Sequence, residues 1–125
     1  MQSPESAMEM LRIAAGAAEA KGGEELVALN VSEPLPLVDI FLIVSAASER
    51  GVAAIADEID ERMIRAGFKA TLREGRLEAR WVLMDFGDLV VHIFHEQERA
   101  FYGLERLWKD CPAVPIPVVE TAAGE

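Results

Sequence analysis

The chain is poor in the residues from which most catalytic and disulfide-bearing sites are built: of 125 residues, one is cysteine, one tyrosine and two histidine. A single cysteine, Cys111, excludes an internal disulfide framework and any multi-cysteine metal centre, and it reads as a plain residue near a helix end. Cations are scarce as well, with 12 Lys and Arg against 22 Asp and Glu, a net charge of −10. Nucleic-acid binding rests on Lys and Arg that neutralise phosphates and release counterions, so RNA or DNA should be repelled at long range. Work near nucleic acid would then require docking on a basic protein. The plainer reading of the charge is solubility, which needs no partner. Long apolar runs are missing too. Hydrophobic residues make up 51% of the chain, yet the longest run, residues 35–47, is broken by Pro36 and Asp39. It falls short of the roughly 18 residues that a membrane span needs. The opening M-Q-S-P-E-S lacks the basic and apolar regions of a secretory signal, which sets the expectation of a soluble, cytoplasmic protein.

What is present reads as one domain, residues 1–112, followed by an extended, mobile tail, 113–125, that starts in the proline-rich P-A-V-P-I-P. Ser3-Pro4 and the Ser6/Glu9 spacing open a helix over 4–21, with Met8, Leu11, Ala15 and Ala18 as a narrow, weak apolar face and Gly22-Gly23 as its end. Residues 25–31 read as a strand, S-E-P-L-P as a turn, and 38–45 as a central strand buried on both faces. A strongly amphipathic helix follows over 49–66, capped by Ser48 and closed by Gly67, with Val52, Ile55, Ala56, Ile59 and Met63 facing inward. A strand over 68–73 then completes a crossover of the kind that gives a parallel pair.

The densest part of the sequence is residues 80–108, which hold both tryptophans, the tyrosine and both histidines. Residues 80–84 pair with 89–94 across D-F-G-D, whose glycine supplies a positive φ. A final helix is expected over 96–109, with Phe101, Leu104, Leu107 and Trp108 toward the core. The whole is an α/β (α+β) fold, a mixed sheet of about five strands with flanking helices. Along the first hairpin strand Trp81, Leu83 and Asp85 share one face and Val82 and Met84 the other. Trp81 is either an aromatic anchor among carboxylates, suited to a basic partner, or a core residue under the last helix.

Three chemistries were weighed. Ser45-Ala46-Ala47-Ser48 precedes a helix N-terminus, where backbone N–H groups hold anions, but it has no glycine and no following Lys-Ser or Lys-Thr. It reads as a serine-capped connection. His92, His95, Glu96 and Glu98, with Asp85 and Asp88, contain metal-binding types, but residues three apart on a strand point to opposite faces. Cys111 and Ser45 lack a base placed beside them, and Ser45 lacks the glycine-flanked elbow of a hydrolase.

The run A-R-W-V-L-M-D-F-G-D-L-V-V-H-I-F-H-E-Q-E-R-A-F-Y-G-L-E-R-L-W resembles the signature of the ribosomal silencing factor family, also called Iojap. The similarity continues upstream through Val38-Asp39-Ile40-Phe41 and Ala54-Ile55-Ala56-Asp57-Glu58, and so covers residues 24–111. The resemblance implies an α/β domain related to nucleotidyltransferases without their catalytic carboxylates, and no cofactor. It implies binding to the fourteenth ribosomal protein of the large subunit, a steric block of subunit joining under nutrient limitation, and pairing as homodimers in isolation. Trp81, Asp85, Gly87, Asp88, His92, Phe94, Arg99, Tyr102, Glu105 and Trp108 match the family pattern. Of these and their neighbours, Trp81, Leu83, Asp85, Asp88, His92, Arg99, Tyr102 and Glu105 are the expected partner contacts. Ala46-Ala47-Ser48 departs from the usual glycine-led triplet, and Ile40 stands where tyrosine is usual. The competing class is a nucleotide-binding, nucleotidyltransferase-like enzyme.

Overall fold

A computed structural model describes residues 4–103, 106 and 108–117, without the side chains of 4 and 100–102. Two strands of almost unbroken apolar sequence form its centre: β2 (Ile40–Ala46) and β5 (Leu89–His95), each buried at all seven positions. They run parallel, Ile40 beside Leu89 through Ala46 beside His95. Parallel neighbours covered on both faces need such continuous hydrophobic sequence. Antiparallel strands extend the sheet on both sides: β1 (Glu24–Asn30) on β2, β4 (Trp81–Asp85) on β5, and the short edge strand β3 (Leu72–Glu74) on β4. The order is β1-β2-β5-β4-β3.

Side-chain alternation divides the core by sheet face. Ala28, Ile40, Leu42, Val44, Val82, Met84, Leu89, Val91 and Ile93 meet the helices α1 (Pro4–Ala20) and α2 (Glu49–Arg65). Leu29, Val31, Phe41, Ile43, Val90 and Phe94 form a second cluster on the other face, with Trp81, Leu83, Trp108 and Cys111 packed against it. α2 buries the expected Val52, Ile55, Ala56, Ile59 and Met63, and the Ser48 hydroxyl accepts from Gly51 N–H at 3.0 Å as its N-cap. Gly67 follows at φ +93°.

α1 differs from expectation. Leu11, Ala15 and Ala18 are buried as expected, Met8 is 37% exposed instead, and Ala7, Met10, Ala14 and Ala17 complete an inward face that is at most 1% exposed throughout. The stripe is made mostly of alanine, which carries little hydrophobic signal but lets a helix lie close to its neighbour. Burying Met10 and Leu11 contributes about 1.5–3 kcal/mol each. Gly23 keeps that closeness where the chain turns into β1, since a Cβ there would sit 2.8 Å from Val44 Cγ2 and 2.9 Å from the Ala18 carbonyl oxygen.

Three further boundaries move. The strand expected over 68–73 is shorter and later, because Phe68 first packs against the helix-side core and Thr71 is the first residue to bond β4, through its N–H to the Asp85 carbonyl. β3 is parallel to β2 by the chain of pairings, but β5 and β4 lie between them, so the crossover does not make an adjacent pair. α3 (Glu96–Tyr102) is closed by Gly103 in the left-handed region at φ +58° with its N–H on the Arg99 carbonyl. This αL cap interrupts the helix expected over 96–109. Arg106 is helical again, Trp108 lies in a turn, and Leu104 and Leu107 lie outside the described residues.

Residues 112–116 are held against the fold rather than free of it. Asn30 N–H donates to the Pro112 carbonyl, Val114 N–H donates to the Ala28 carbonyl, and Val114 and Ile116 pack on the helix-side core. They cover the open edge of β1, which would otherwise present unpaired backbone groups.

A candidate docking face on the second side of the sheet

β4 alternates as expected: Val82 and Met84 are buried toward the helices, and Trp81, Leu83 and Asp85 are half-buried on the other face. Residues directly opposite in an antiparallel pair share a face. Leu72, opposite Asp85, and Glu74, opposite Leu83, therefore stand beside them, while Arg73, opposite Met84, turns to the helix side. The cations here all follow Arg73. Arg73 bonds Asp60 of α2 at 2.8 Å, Arg76 bonds Asp57 at 2.8 Å, and Arg80 bonds Glu49 at 2.8 Å and Glu98 at 2.7 Å. Arg76 and Asp57 shift each other in opposite directions, the guanidinium hydrogen bond holding the carboxyl below its ordinary value. Glu74 and Asp85 enter no ion pair among the described residues. One edge of the second face is thus apolar and acidic, with Leu72 45% exposed among its carboxylates.

Behind that edge lies an aromatic cluster. The Trp81 ring sits 4.9 Å from Phe94 and 6.1 Å from His92, and Phe41 lies edge-on to both His92, at 4.7 Å, and Trp108, at 5.4 Å. Trp81 Nε1–H donates to His92 Nδ1 at 3.2 Å. Burial pushes the His92 imidazole down to about 4, so the ring is neutral at pH 7. A neutral ring that accepts at Nδ1 carries its proton on Nε2. Among the described residues that buried Nε2 has no hydrogen-bond partner, and neither has Trp108 Nε1. Each orphaned donor costs about 1–3 kcal/mol.

The residues weighed for chemistry have structural work. His95 Nδ1 accepts from Gln97 N–H at 3.1 Å as the N-cap of α3, and Glu98 is held by Arg80. Ser45 accepts from Arg99 at 3.2 Å, and Ser48 caps α2, which accounts for the loop between β2 and α2. Asp85 Oδ1 accepts from Gly87 N–H at 2.8 Å within the hairpin turn, where Gly87 has φ +97°. The Asp88 carbonyl accepts from the N–H groups of Asp39 and Ile40, tying the starts of β5 and β2 together. Burial, then the neighbouring Asp39, raises the Asp88 carboxyl above its ordinary value. Cys111 lines an open groove of about 710 Å³ with Asn30, Ser32, Glu33, Pro34, Asp110 and Pro112, a lining with no base beside the thiol.

The family model described as ribosomal silencing factor during starvation matches residues 4–125. The chain belongs to the ribosomal silencing factor family. It is 44% identical over 111 residues to the ribosomal silencing factor of Halalkalibacterium halodurans, covering 89% of this chain and 95% of that one. It is 45% identical over 107 residues to that of Bacillus subtilis, covering 86% and 91%. The chloroplastic Iojap protein of Zea mays is 34% identical over 77 residues, 62% of this chain and 33% of that longer one. Among solved structures, a Bacillus halodurans protein superposes with a TM-score of 0.77 at 44% identity, covering 86% of this chain and 97% of that chain. A Chromobacterium violaceum protein superposes with 0.79 at 28%, covering 91% and 94%. Members of this family are named for translational silencing, a regulatory role.

Seen as a member of the silencing factor family, the chain sorts its expected contact residues into four groups. Trp81, Leu83 and Asp85 share the second face beside Leu72 and Glu74, which sequence reasoning missed. Arg73-Glu74 carries the signal, opposite charges on adjacent strand residues, but it has no direction until the strand is placed. Asp88 is at the hairpin turn. His92, 4% exposed, and Arg99, 7% exposed, are buried and bonded internally, His92 to Trp81 and Arg99 to Ser45 and the Glu24 carbonyl. The Tyr102 side chain and Glu105 lie outside the described residues.

Proposed function

We propose that this protein silences translation by docking on the fourteenth ribosomal protein of the large subunit and sterically blocking the small subunit from joining under nutrient limitation. It acts in the cytoplasm, by occupancy rather than catalysis, and needs no cofactor. The observation that supports this most is the separation of charge across β3 and β4. Three arginines face the helices, while Leu72, Trp81 and Leu83 share the opposite side with Glu74 and Asp85. A strand face that carries an aromatic anchor at one end and two carboxylates outside any ion pair further along suits a basic protein surface and opposes an RNA one. Among the described residues no helix is long and apolar enough to cross a membrane.

The test is co-sedimentation with purified large subunits and inhibition of subunit joining, using wild type, Trp81→Ala and Asp85→Arg, each checked for folding by thermal melting. Both variants should lose binding and inhibition together. Folded variants that bind as wild type would remove the site, and a wild-type protein that does not inhibit joining would remove the function.

A further inference from the structure

We infer that His92 is a positioning residue for the Trp81 anchor: its Nδ1 acceptor, together with the Phe94 ring, presets the Trp81 indole in the orientation that a partner meets. The inference rests on the docking reading above and names a residue that touches no partner in it.

β5 carries a polar residue in its apolar middle. His92 lies there, 4% exposed, between Val91 and Ile93 in sequence and against Phe41 and Phe94 in space. An apolar ring would take the Nδ1 acceptor from the Trp81 N–H, whereas histidine holds that N–H and leaves its own Nε2–H without an acceptor among the described residues. Local choices that work against stability concentrate where function requires them. What the histidine offers in return is one interaction, the acceptor at Nδ1 for Trp81 Nε1–H, 3.2 Å away.

That bond constrains the indole in a way that packing does not. Trp81 is on β4 and directly opposite Phe94, whose ring lies 4.9 Å away at 31°. Ring packing restrains the plane of the indole, whereas a hydrogen bond at one edge fixes which way its N–H points within that plane. Trp81 is half-buried, so part of the ring stays open to a partner while its N–H edge is held from within. Fixing an exposed aromatic before binding removes the ordering cost from the association step.

The measurement uses the full chain, purified large ribosomal subunits as the probe, and the Trp81 Nε1–H resonance as a reporter of the bond. His92→Phe keeps an aromatic ring and removes the acceptor. It should melt near the wild-type temperature, because one orphaned N–H replaces another, shift the Nε1–H resonance, and bind large subunits about tenfold more weakly. His92→Asn places an oxygen where Nδ1 stood and should recover most of that affinity. In a Trp81→Phe background, which has no N–H to hold, His92→Phe should add no further loss. If His92→Phe does not fold, His92→Leu takes its place in the same set.

His92→Phe binding as wild type while Trp81→Ala does not bind overturns the positioning role and leaves the docking face standing. Losses that add in the Trp81→Phe background, or His92→Asn as weak as His92→Phe, overturn it as well. Trp81→Ala binding as wild type overturns the docking face, and the positioning role with it.

Discussion

Replacing Glu74 by lysine tests the sign of the docking face with little disturbance to the fold. Glu74 lies exposed on β3, opposite Leu83, and has no ion pair among the described residues. Surface changes of this kind shift stability by within about 0.5 kcal/mol, and lysine on an edge strand is well tolerated. At contact distance in water, a pair of unit charges is worth about 1 kcal/mol. Turning one attraction into one repulsion then costs about 2 kcal/mol, or roughly 30-fold in affinity at low salt. The Debye length of about 8 Å at physiological ionic strength reduces this to several-fold. The assay is equilibrium binding to purified large subunits over a salt series, for wild type and Glu74→Lys. Wild-type binding should weaken with salt, and the gap between the two should close. Tighter binding by Glu74→Lys refutes the reasoning, because a phosphate-rich RNA surface would reward the added cation. An unchanged affinity at low salt places the contact elsewhere.

Three further outcomes follow from the internal bonds. Arg99→Leu should lower stability by about 1–3 kcal/mol in urea unfolding, since the Ser45 hydroxyl loses the Arg99 donor inside the fold while the Glu24 carbonyl keeps only Ser45. His92 titrates at about 4 folded against 6.5 as an ordinary histidine. Between these values the unfolded chain binds the extra proton, so stability should fall as pH drops from about 6.5 toward 4, by up to about 3 kcal/mol, and this loss should be absent in His92→Phe. Comparing the two proteins at each pH cancels the carboxylates common to both. ATP or GTP with magnesium at millimolar concentration should leave the melting temperature unchanged, whereas a ligand at a hundred times its Kd would add about 2.7 kcal/mol.

The fold was legible where local pattern and tertiary environment agree. α2 has its cap, its apolar stripe and its closing glycine in consecutive residues, and all five expected inward positions are buried. The hairpin was legible for the same reason, with Gly87 taking the positive φ between two apolar runs. α1 was harder because its buried face is alanine, whose small side chain marks close approach rather than hydrophobicity. The break at Gly103 was not legible because Leu104, Leu107 and Trp108 continue a helical spacing past it, which an αL glycine interrupts. The pairing of β2 with β5 rather than β3 is a long-range choice that no local signal records.

The docking face was half legible, and the missing half shows what a strand sequence withholds. Alternation separates Trp81, Leu83 and Asp85 from Val82 and Met84 without a structure, but it does not say which set meets the core. Here the helices decide: α1 and α2 both take the side of Val82 and Met84, so the acidic and aromatic set is left on the side they do not cover. The same event sorts the charges. Once α2 lies against one face, its Asp57 and Asp60 draw Arg76 and Arg73 to that side, and Glu49 draws Arg80. A chain with net charge −10 has few cations to spare. Committing three of its twelve to ion pairs at the helices strips the other face of β3 and β4 of positive charge. The acidity of the docking face therefore follows from the register that turns Arg73 to the helices, where α2 supplies its partner, so Asp60→Ala, which frees Arg73 without turning it to the other face, should leave large-subunit binding nearly unchanged, and a marked loss would refute the separation of the two faces.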